Sequence, residues 1–324
     1  MASLKEIKSR IASVKNTLKI TSAMKLVASA KLHKAQMAIE NMLPYNERLT
    51  GIVNDLLNSE SLTGTFRSSL MEKREVKRVA LVTISSSASL CGGFNNNLIR
   101  LTQHVIDEYR EQNTDILLIP IGRKVAQALA VDKEEPDKLT RPSGRVSSSA
   151  RQPANLSTES GYVSIGEKPT HAEASALATY LTKLYLNKEI DRVELLYTHY
   201  KNMAVQVLMR EQFLPVEADK LTKPSVLSPS STRQSVNSST ETDYLIEPSA
   251  PELLNRLLPQ VLDMHMFTML LDSSAAEHAA RTFAMQQATD NGEGLLQELS
   301  LQYNKGRQQA ITNELLDIMG GTLR

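Results

Sequence analysis

The sequence predicts an α/β fold plus a long antiparallel coiled coil, in which the N- and C-terminal helices pair and a central Rossmann-like mixed-sheet domain lies between them. Three observations support this prediction. Residues 273–323 contain no proline and consist mostly of strong helix formers. Residues 4–18 carry apolar side chains at the alternating three- and four-residue spacing of a coiled-coil seam. Between the two ends, short apolar runs alternate with amphipathic stretches, which is typical of parallel strands connected by helices.

Residues 1–58 are predicted to form the N-terminal coiled-coil helix. Ser3, with Glu6 three residues later, has the spacing of a capping box. The first part of the seam consists of Leu4, Ile7, Ile11, Val14 and Leu18. Beyond it the apolar positions shift to Ile20, Met24 and Val27, which predicts a local change of supercoiling. Proline at position 44 predicts a kink or a break.

The Rossmann-like domain is predicted at residues 76–216. Two buried strands are expected at 79–84 and 115–122, each followed by a helix, which implies a parallel sheet with right-handed crossovers. A helix capped by Thr170 and Glu173 comes later. Two further strands, at 192–200 and 204–215, are separated by a turn short enough for a hairpin. The sheet is therefore predicted to be mixed.

Two polar stretches interrupt this pattern. Residues 132–161 are rich in Ser, Pro, Lys and Glu and are predicted to be a flexible insertion in the domain. Residues 217–248 include a second serine-rich stretch and are predicted to be a linker.

The C-terminal coiled-coil helix is predicted at residues 249–324. A helix from Pro251 to the end would run for about 70 residues, on the order of 100 Å, so it needs a partner helix along its length and should project beyond it. Pro259 predicts a kink. Near the end, the seam spacing recurs at Ile311, Leu315 and Ile318.

Composition excludes several functional classes. The 324 residues include 37 basic and 36 acidic side chains, and this near-balance argues against a general nucleic-acid binder. Before Glu40 the only acid is Glu6, so the N-terminal helix is strongly basic. Its basic residues form either a solvated helix face or the surface of a basic shaft inside an acidic sleeve.

No apolar run reaches the ~18 residues that a membrane span needs, and no secretory signal is recognised, so any membrane association is expected to go through a partner.

Motifs for catalysis or cofactor binding are absent from the sequence. Cys91 is the only cysteine, and the six histidines are scattered without ligand spacing. The stretch LCGGFN follows a predicted strand as a phosphate loop would, but it has neither the GK[ST] of a Walker loop nor the GxGxxG of a dinucleotide site. The other interpretation is a tight turn made by Gly92 and Gly93. The chain is predicted to be non-catalytic and to bind no cofactor.

Three blocks carry a resemblance to a known family: IKSRIASVKNTLKITSAMKLVASAKLHKA near the start, LCGGFN in the middle, and RTFAMQQATDNGEGLLQELSLQYNKGRQQAITNELLDIMGG near the end. In these blocks the chain resembles the gamma subunits of rotary (F-type) ATP synthases. The resemblance is dense in the helices and sparse in the middle domain.

The resemblance implies a function and a set of partners. The chain would be the central rotor shaft of a proton-translocating ATP synthase, coupling rotation of a membrane ring to ATP synthesis or hydrolysis at the catalytic beta subunits. Its partners would be the alpha and beta subunits of the catalytic ring, the epsilon subunit and the c subunits of the membrane ring. It would be a peripheral protein on the cytoplasmic face of the bacterial cell membrane.

The resemblance also implies contact residues. Met24, with Lys25 beside it, would face the acidic lever of a beta subunit, although ordinary seam packing of Met24 is the alternative. Leu90, Cys91, Gly92 and Gly93 would belong to a loop that faces other subunits; the preceding Ser87-Ala88-Ser89 replaces the usual Asp-Arg-Gly run of the family. Near the end, a beta loop would be held by Arg307, Gln308 and Thr312. A solvated helix surface is the alternative for Arg307 and Gln308.

Two other classes of protein stay open at this point. A coiled-coil interaction protein with a hinge domain would account for the helices but not for the three matching blocks, and it would self-associate without an ATPase partner. A small α/β enzyme with helical arms would need a site in the middle domain, and tight nucleotide or metal binding would favour it.

Overall fold

The computed structural model describes residues 4–58, 68–129, 156–159, 161–167, 169–216 and 249–321. This part of the chain contains five α-helices, five strands and one 3-10 turn at Val163–Glu167. In chain order the helices and strands are α1 (Leu4–Asn58), β1 (Arg78–Ile84), α2 (Phe94–Glu111), β2 (Asp115–Ile121), α3 (Arg123–Leu129), β3 (Leu156–Thr158), α4 (His171–Leu186), β4 (Arg192–Tyr200), β5 (Gln206–Leu214) and α5 (Ala250–Gly321).

The two terminal helices pack against each other in opposite directions, as predicted. Leu18 lies against Gly292 and Leu4 lies against Gly306, so moving toward the start of α1 means moving toward the end of α5. Closer to the domain, Leu32, Ala35 and Ile39 pack against Leu271, Ala275 and Ala279. Small side chains on both helices permit this close approach. The predicted antiparallel coiled coil is confirmed.

The seam of α1 does not shift after Leu18, and that prediction was wrong. Thr21, Ala28, Leu32, Ala35 and Ile39 are buried, and half-buried Lys25 lies between the first two. These positions continue the alternating spacing of Leu4 to Leu18 without interruption. Ile20, Met24 and Val27 point outward instead, with 58%, 39% and 58% of their surface exposed. The apolar pattern misled the prediction because polar Thr21 and Lys25 occupy seam positions.

The end of α5 also differs from the prediction. Beyond Gly306, which lies against the first described residue of α1, α5 continues to Gly321, a further ~22 Å of helix. Ile311, Leu315 and Ile318 lie in this overhang and are 49%, 56% and 66% exposed, so they form no seam with α1.

The sheet is mixed, as predicted, and its strand order is β3-β2-β1-β4-β5. β1 is central and pairs in parallel with β2 and β4, while β5 returns antiparallel to β4. β3 pairs in parallel with β2 and falls inside the stretch that was predicted to be a flexible insertion. Its three residues are too few to give a strand pattern. The boundaries of the predicted units stay predictions, and the linker at 217–248 lies outside the described residues.

Alternate residues of β1 face two different layers. Val79 and Leu81 point toward α2, where they pack with Leu98 and Val105. Ala80 and Val82 point to the other face, which is covered by α4 and the first part of α5. The result is a three-layer domain in which one layer is shared with the coiled coil. α5 is therefore both a core helix of the domain and half of the shaft.

The helix signals had mixed outcomes. Thr170 caps α4 with the predicted capping box: its hydroxyl accepts from the Glu173 N–H, and the Glu173 carboxylate accepts from the Thr170 N–H. Both α1 and α5 are continuous through their internal prolines, Pro44 and Pro259, so neither proline breaks its helix.

Candidate functional site

The neck of the coiled coil, where residues 20–27 of α1 pack against residues 286–289 of α5, places Met24 and Lys25 in different environments. The Lys25 ammonium is turned toward α5, where it donates to Gln286 Oε1 at 2.6 Å. One turn earlier, the Thr21 and Thr289 hydroxyls are 3.0 Å apart. Met24 is partly exposed and shares its face of α1 with Ile20 and Val27, because spacings of four and three residues fall on one side of a helix. Met24 is thus available to a partner, whereas Lys25 ties the two helices together.

The loop between β1 and α2 is held in a fixed shape by Asn95. The Asn95 side chain accepts from the Ser86 N–H and donates to the Ala88 carbonyl oxygen and to the Cys91 sulfur. Leu90 has φ 66 and is 56% exposed, whereas Cys91 beside it is buried. A leucine in this left-handed conformation is strained, so the loop holds a large apolar side chain outward at an energetic cost.

Two charged residues of α5 join this loop to the shaft. Arg281 and Glu277 form an ion pair of 2.6 Å that is mostly buried, and Arg281 also donates to Ser86 Oγ at 3.4 Å. Burial raises the pKa of the Cys91 thiol; the nearby Arg281 lowers the pKa and Glu277 raises it, but both effects are smaller than that of burial. This thiol is therefore a packing group rather than an activated nucleophile.

A groove of about 260 Å³ lies between the loop, β5 and α5. Its polar lining includes Asn97, Gln206 and Gln287, and its apolar lining includes Phe94 and Phe283. Among the residues that the structure describes, no lysine or arginine lines this groove, so these residues offer a phosphate no cationic side chain. The tight-turn interpretation of LCGGFN fits the loop itself: Gly92 has φ +59, the left-handed conformation that glycine adopts most easily.

The predicted contact residues near the end of α5 all lie in the overhang. Arg307, Gln308 and Thr312 are exposed, and the Thr312 hydroxyl donates to the Gln308 carbonyl oxygen within the helix.

The structure brings together two of the three predicted sets. Gly92 of the loop lies beside Ala284, two residues of α5 before the Gln286 side chain that binds Lys25. Arg307 is 21 residues further along α5 than Gln286, or ~30 Å away. The neck and the loop thus contact neighbouring positions of α5, and the overhang lies apart from both. Sequence reasoning missed Ile20 and Val27 as surface residues; the continuous spacing through Thr21 and Lys25 was the signal that could have revealed them.

The described residues contain neither a cluster of metal ligands nor a helix that could span a membrane. They include no group of three or more His, Cys, Asp or Glu residues that could hold a metal ion. Among the described helices, none combines the length and the apolar character needed to cross a bilayer.

Comparisons with known proteins agree with the geometry. A family model described as ATP synthase matches residues 3–323. The chain is 49% identical over 324 residues to the ATP synthase gamma chain of Phocaeicola vulgatus and 47% identical over 325 residues to that of Bacteroides thetaiotaomicron, with 100% of each chain covered.

Two solved structures share the fold at low identity. The central stalk/c-ring structure of Tetrahymena thermophila mitochondrial ATP synthase matches with a TM-score of 0.52 and 22% identity, covering 83% of this chain and 99% of that one. The rotor of Euglena gracilis mitochondrial ATP synthase matches with a TM-score of 0.56 and 17% identity, covering 95% and 98%. The chain therefore belongs to the ATP synthase gamma chain family.

Proposed function

We propose that this chain couples proton-driven rotation of a membrane ring to ATP synthesis, or ATP hydrolysis to rotation, at the catalytic beta subunits. The observation that carries the proposal is the 72-residue helix α5. It begins in the core of the sheet domain, forms half of the neck and ends in the overhang. One continuous helix thus connects the domain that would be turned with the tip that would act on the catalytic ring.

The proposed partners fit different parts of the chain. An alpha and beta ring would surround the neck and the overhang, and the epsilon subunit and the c subunits of the membrane ring would bind the sheet domain. The outward face of α1 supports an acidic sleeve around the shaft, because Lys8, Lys15, Lys19, Lys31 and Lys34 are all exposed. Membrane association would go through these partners, at the cytoplasmic face of the bacterial membrane.

The contact residues that we propose are those with outward side chains. At the neck they are Met24, together with Ile20 and Val27, and at the loop Leu90. In the overhang they are Arg307, Gln308 and Thr312. Lys25 would act indirectly, through its bond to Gln286, which fixes the register of the two helices.

The mechanism follows from the asymmetry of the shaft. A protein can shift the conformation of a neighbour only if it contacts the two conformations differently. The neck is apolar on the Met24 face and basic elsewhere on α1, so beta subunits at different angles would meet different surfaces. Turning the shaft would then present each catalytic site with each surface in succession.

A first experiment tests the assembly. The chain is purified together with the alpha and beta subunits from the same source, and ATPase activity of the complex is measured with and without it. We expect a stable active complex that depends on the chain. Self-association of the chain without binding either subunit would refute the proposal and favour a coiled-coil interaction protein.

A second experiment tests the neck. Met24→Lys would place a new cation beside an acidic partner, and the new ion pair would favour one rotary angle by ~1 kcal/mol or less at an exposed surface. We expect ATP hydrolysis to continue while ATP-driven proton pumping falls. Met37→Lys is the matched control, because Met37 is an exposed methionine of the same helix, thirteen residues nearer the domain. A proportional fall in both activities of Met24→Lys would contradict the assignment.

A further inference from the structure

α5 leaves the domain core and enters the coiled coil within two residues. Leu270 is its last buried residue in the hydrophobic core beneath the sheet, and Leu271 is its first buried residue in the cluster formed with Leu32, Ala35 and Ile39 of α1. At this point α5 leaves the hydrophobic core beneath the sheet. The next two residues, Asp272 and Ser273, are polar and almost fully buried, with 1% and 3% of their surface exposed.

Both carboxylate oxygens of Asp272 bind the end of β4. Oδ1 accepts from the Tyr200 N–H at 3.0 Å, and Oδ2 lies 2.8 Å from His199 Nδ1. Ser273 adds a contact to the neighbouring strand, because its hydroxyl donates to the Ile84 carbonyl oxygen at 3.4 Å. Consecutive residues of α5 are therefore bonded to the carboxyl ends of the two adjacent central strands, β4 and β1.

The geometry points to a mechanical role for this cluster. We propose that Asp272 and His199 are positioning residues that lock α5 against rotation relative to the sheet, so that torque passes between the domain and the shaft without slip. Apolar surfaces do not favour one angle strongly, because the hydrophobic effect is non-directional. Hydrogen bonds to a buried carboxylate depend on angle and leave a buried charge unpaired when broken, so they resist turning.

Two other polar contacts, between α5 and the elements α4 and β5, differ from this pair. Asp263 accepts from Ser175 Oγ of α4 at 2.6 Å, and His265 lies 3.2 Å from Glu211 of β5. Both pairs are partly exposed, and both lie in the part of α5 that is still covered by the domain. Asp272 alone among these three α5 residues binds two consecutive residues of a central strand at the point where the helix leaves the core.

The inference rests on the proposed rotor function and adds residues to it. Asp272→Leu keeps the size of the side chain and removes both bonds. In the complete membrane-bound complex we expect Asp272→Leu to hydrolyse ATP while ATP-driven proton pumping per ATP is lost or strongly reduced. Asp272→Asn should pump as the unmodified chain does, because its amide can accept from Tyr200 and donate to His199 in the other tautomer.

Two controls make the result decisive. Asp263→Leu removes an aspartate hydrogen bond from the same helix and should leave the ratio of protons pumped to ATP hydrolysed unchanged. If Asp272→Leu does not assemble, His199→Leu removes the side-chain bond from the sheet side while the Tyr200 bond remains, and the ratio should fall. An unchanged ratio in the assembled variant, or a parallel loss of hydrolysis and pumping, overturns the inference. Failure of the unmodified chain to support pumping would instead refute the rotor function itself.

Discussion

Gly122 is the position where a single methyl group should damage the domain most. It follows β2 and has φ +92, and a Cβ built there would lie 2.2 Å from the Ser85 carbonyl oxygen and 2.7 Å from its carbon. These are backbone atoms held by the 2.8 Å bond from the Ser85 N–H to the Ile121 oxygen, so they cannot rotate away. For an alanine, the positive φ costs ~1–2 kcal/mol and the clash with Ser85 costs ~1–3 kcal/mol more. Gly122→Ala should therefore lower the free energy of unfolding by about 2–5 kcal/mol.

Gly92→Ala is the matched comparison. Gly92 also has a positive φ, +59, but its Cβ would meet only Ala284 Cβ, at an ordinary 3.7 Å. Only the conformational cost of ~1–2 kcal/mol applies. Urea denaturation followed by near-ultraviolet circular dichroism would measure both variants, because buried Tyr109, Tyr185 and Tyr197 report domain packing. Equal free energies of unfolding for the two variants would refute the reasoning.

Three further predictions concern other regions. Tyr109→Phe removes a 2.7 Å bond to the buried Glu194 carboxylate and should cost about 1.5–3 kcal/mol in urea denaturation, with a loss below 0.5 kcal/mol contradicting it. Because burial raises the pKa of Cys91, the folded chain at pH 8 should contain less thiolate than the chain unfolded in urea. The folded chain should therefore react with iodoacetamide at least about tenfold more slowly than the unfolded chain. Equal rates would show that the thiol is accessible. Gly51→Ala should stabilise the chain by about 0.5–1 kcal/mol, because Gly51 is inside α1 and its Cβ would meet nothing within 4 Å; a lower melting temperature would contradict this.

The elements that could be predicted are those whose signals are local. The capping box at Thr170, the buried β1 and the antiparallel hairpin of β4 and β5 are each encoded in a few neighbouring residues. The neck could not be predicted this way. Whether Thr21 or Ile20 faces α5 depends on Thr289 and Gln286, which are more than 250 residues away in the chain. β3 was missed because its three residues are defined by pairing with β2 alone.

The candidate contact surfaces were predictable only in part, for a similar reason. The resemblance identified Met24 and Lys25 together, but a hydrogen bond to Gln286 separates their roles. Leu90 was identified with its loop, yet nothing in the letters LCGGFN shows that this leucine adopts a positive φ with its side chain outward. Side-chain direction is a tertiary property, and it decides which residues a partner can reach.

The neck combines two features that lower the stability of an isolated coiled coil. Polar Thr21 and Lys25 occupy seam positions, where fully burying a large apolar side chain would contribute about 1.5–3 kcal/mol. At the same level Ile20, Met24 and Val27 are exposed, so α1 turns its apolar residues away from α5. A coiled coil optimised for its own stability would have the opposite arrangement, and this exposed apolar surface supports the contact with another protein that we propose. The shaft is therefore weakly held together where α1 turns these apolar residues outward, as expected if the surrounding subunits supply the stabilisation that the seam lacks.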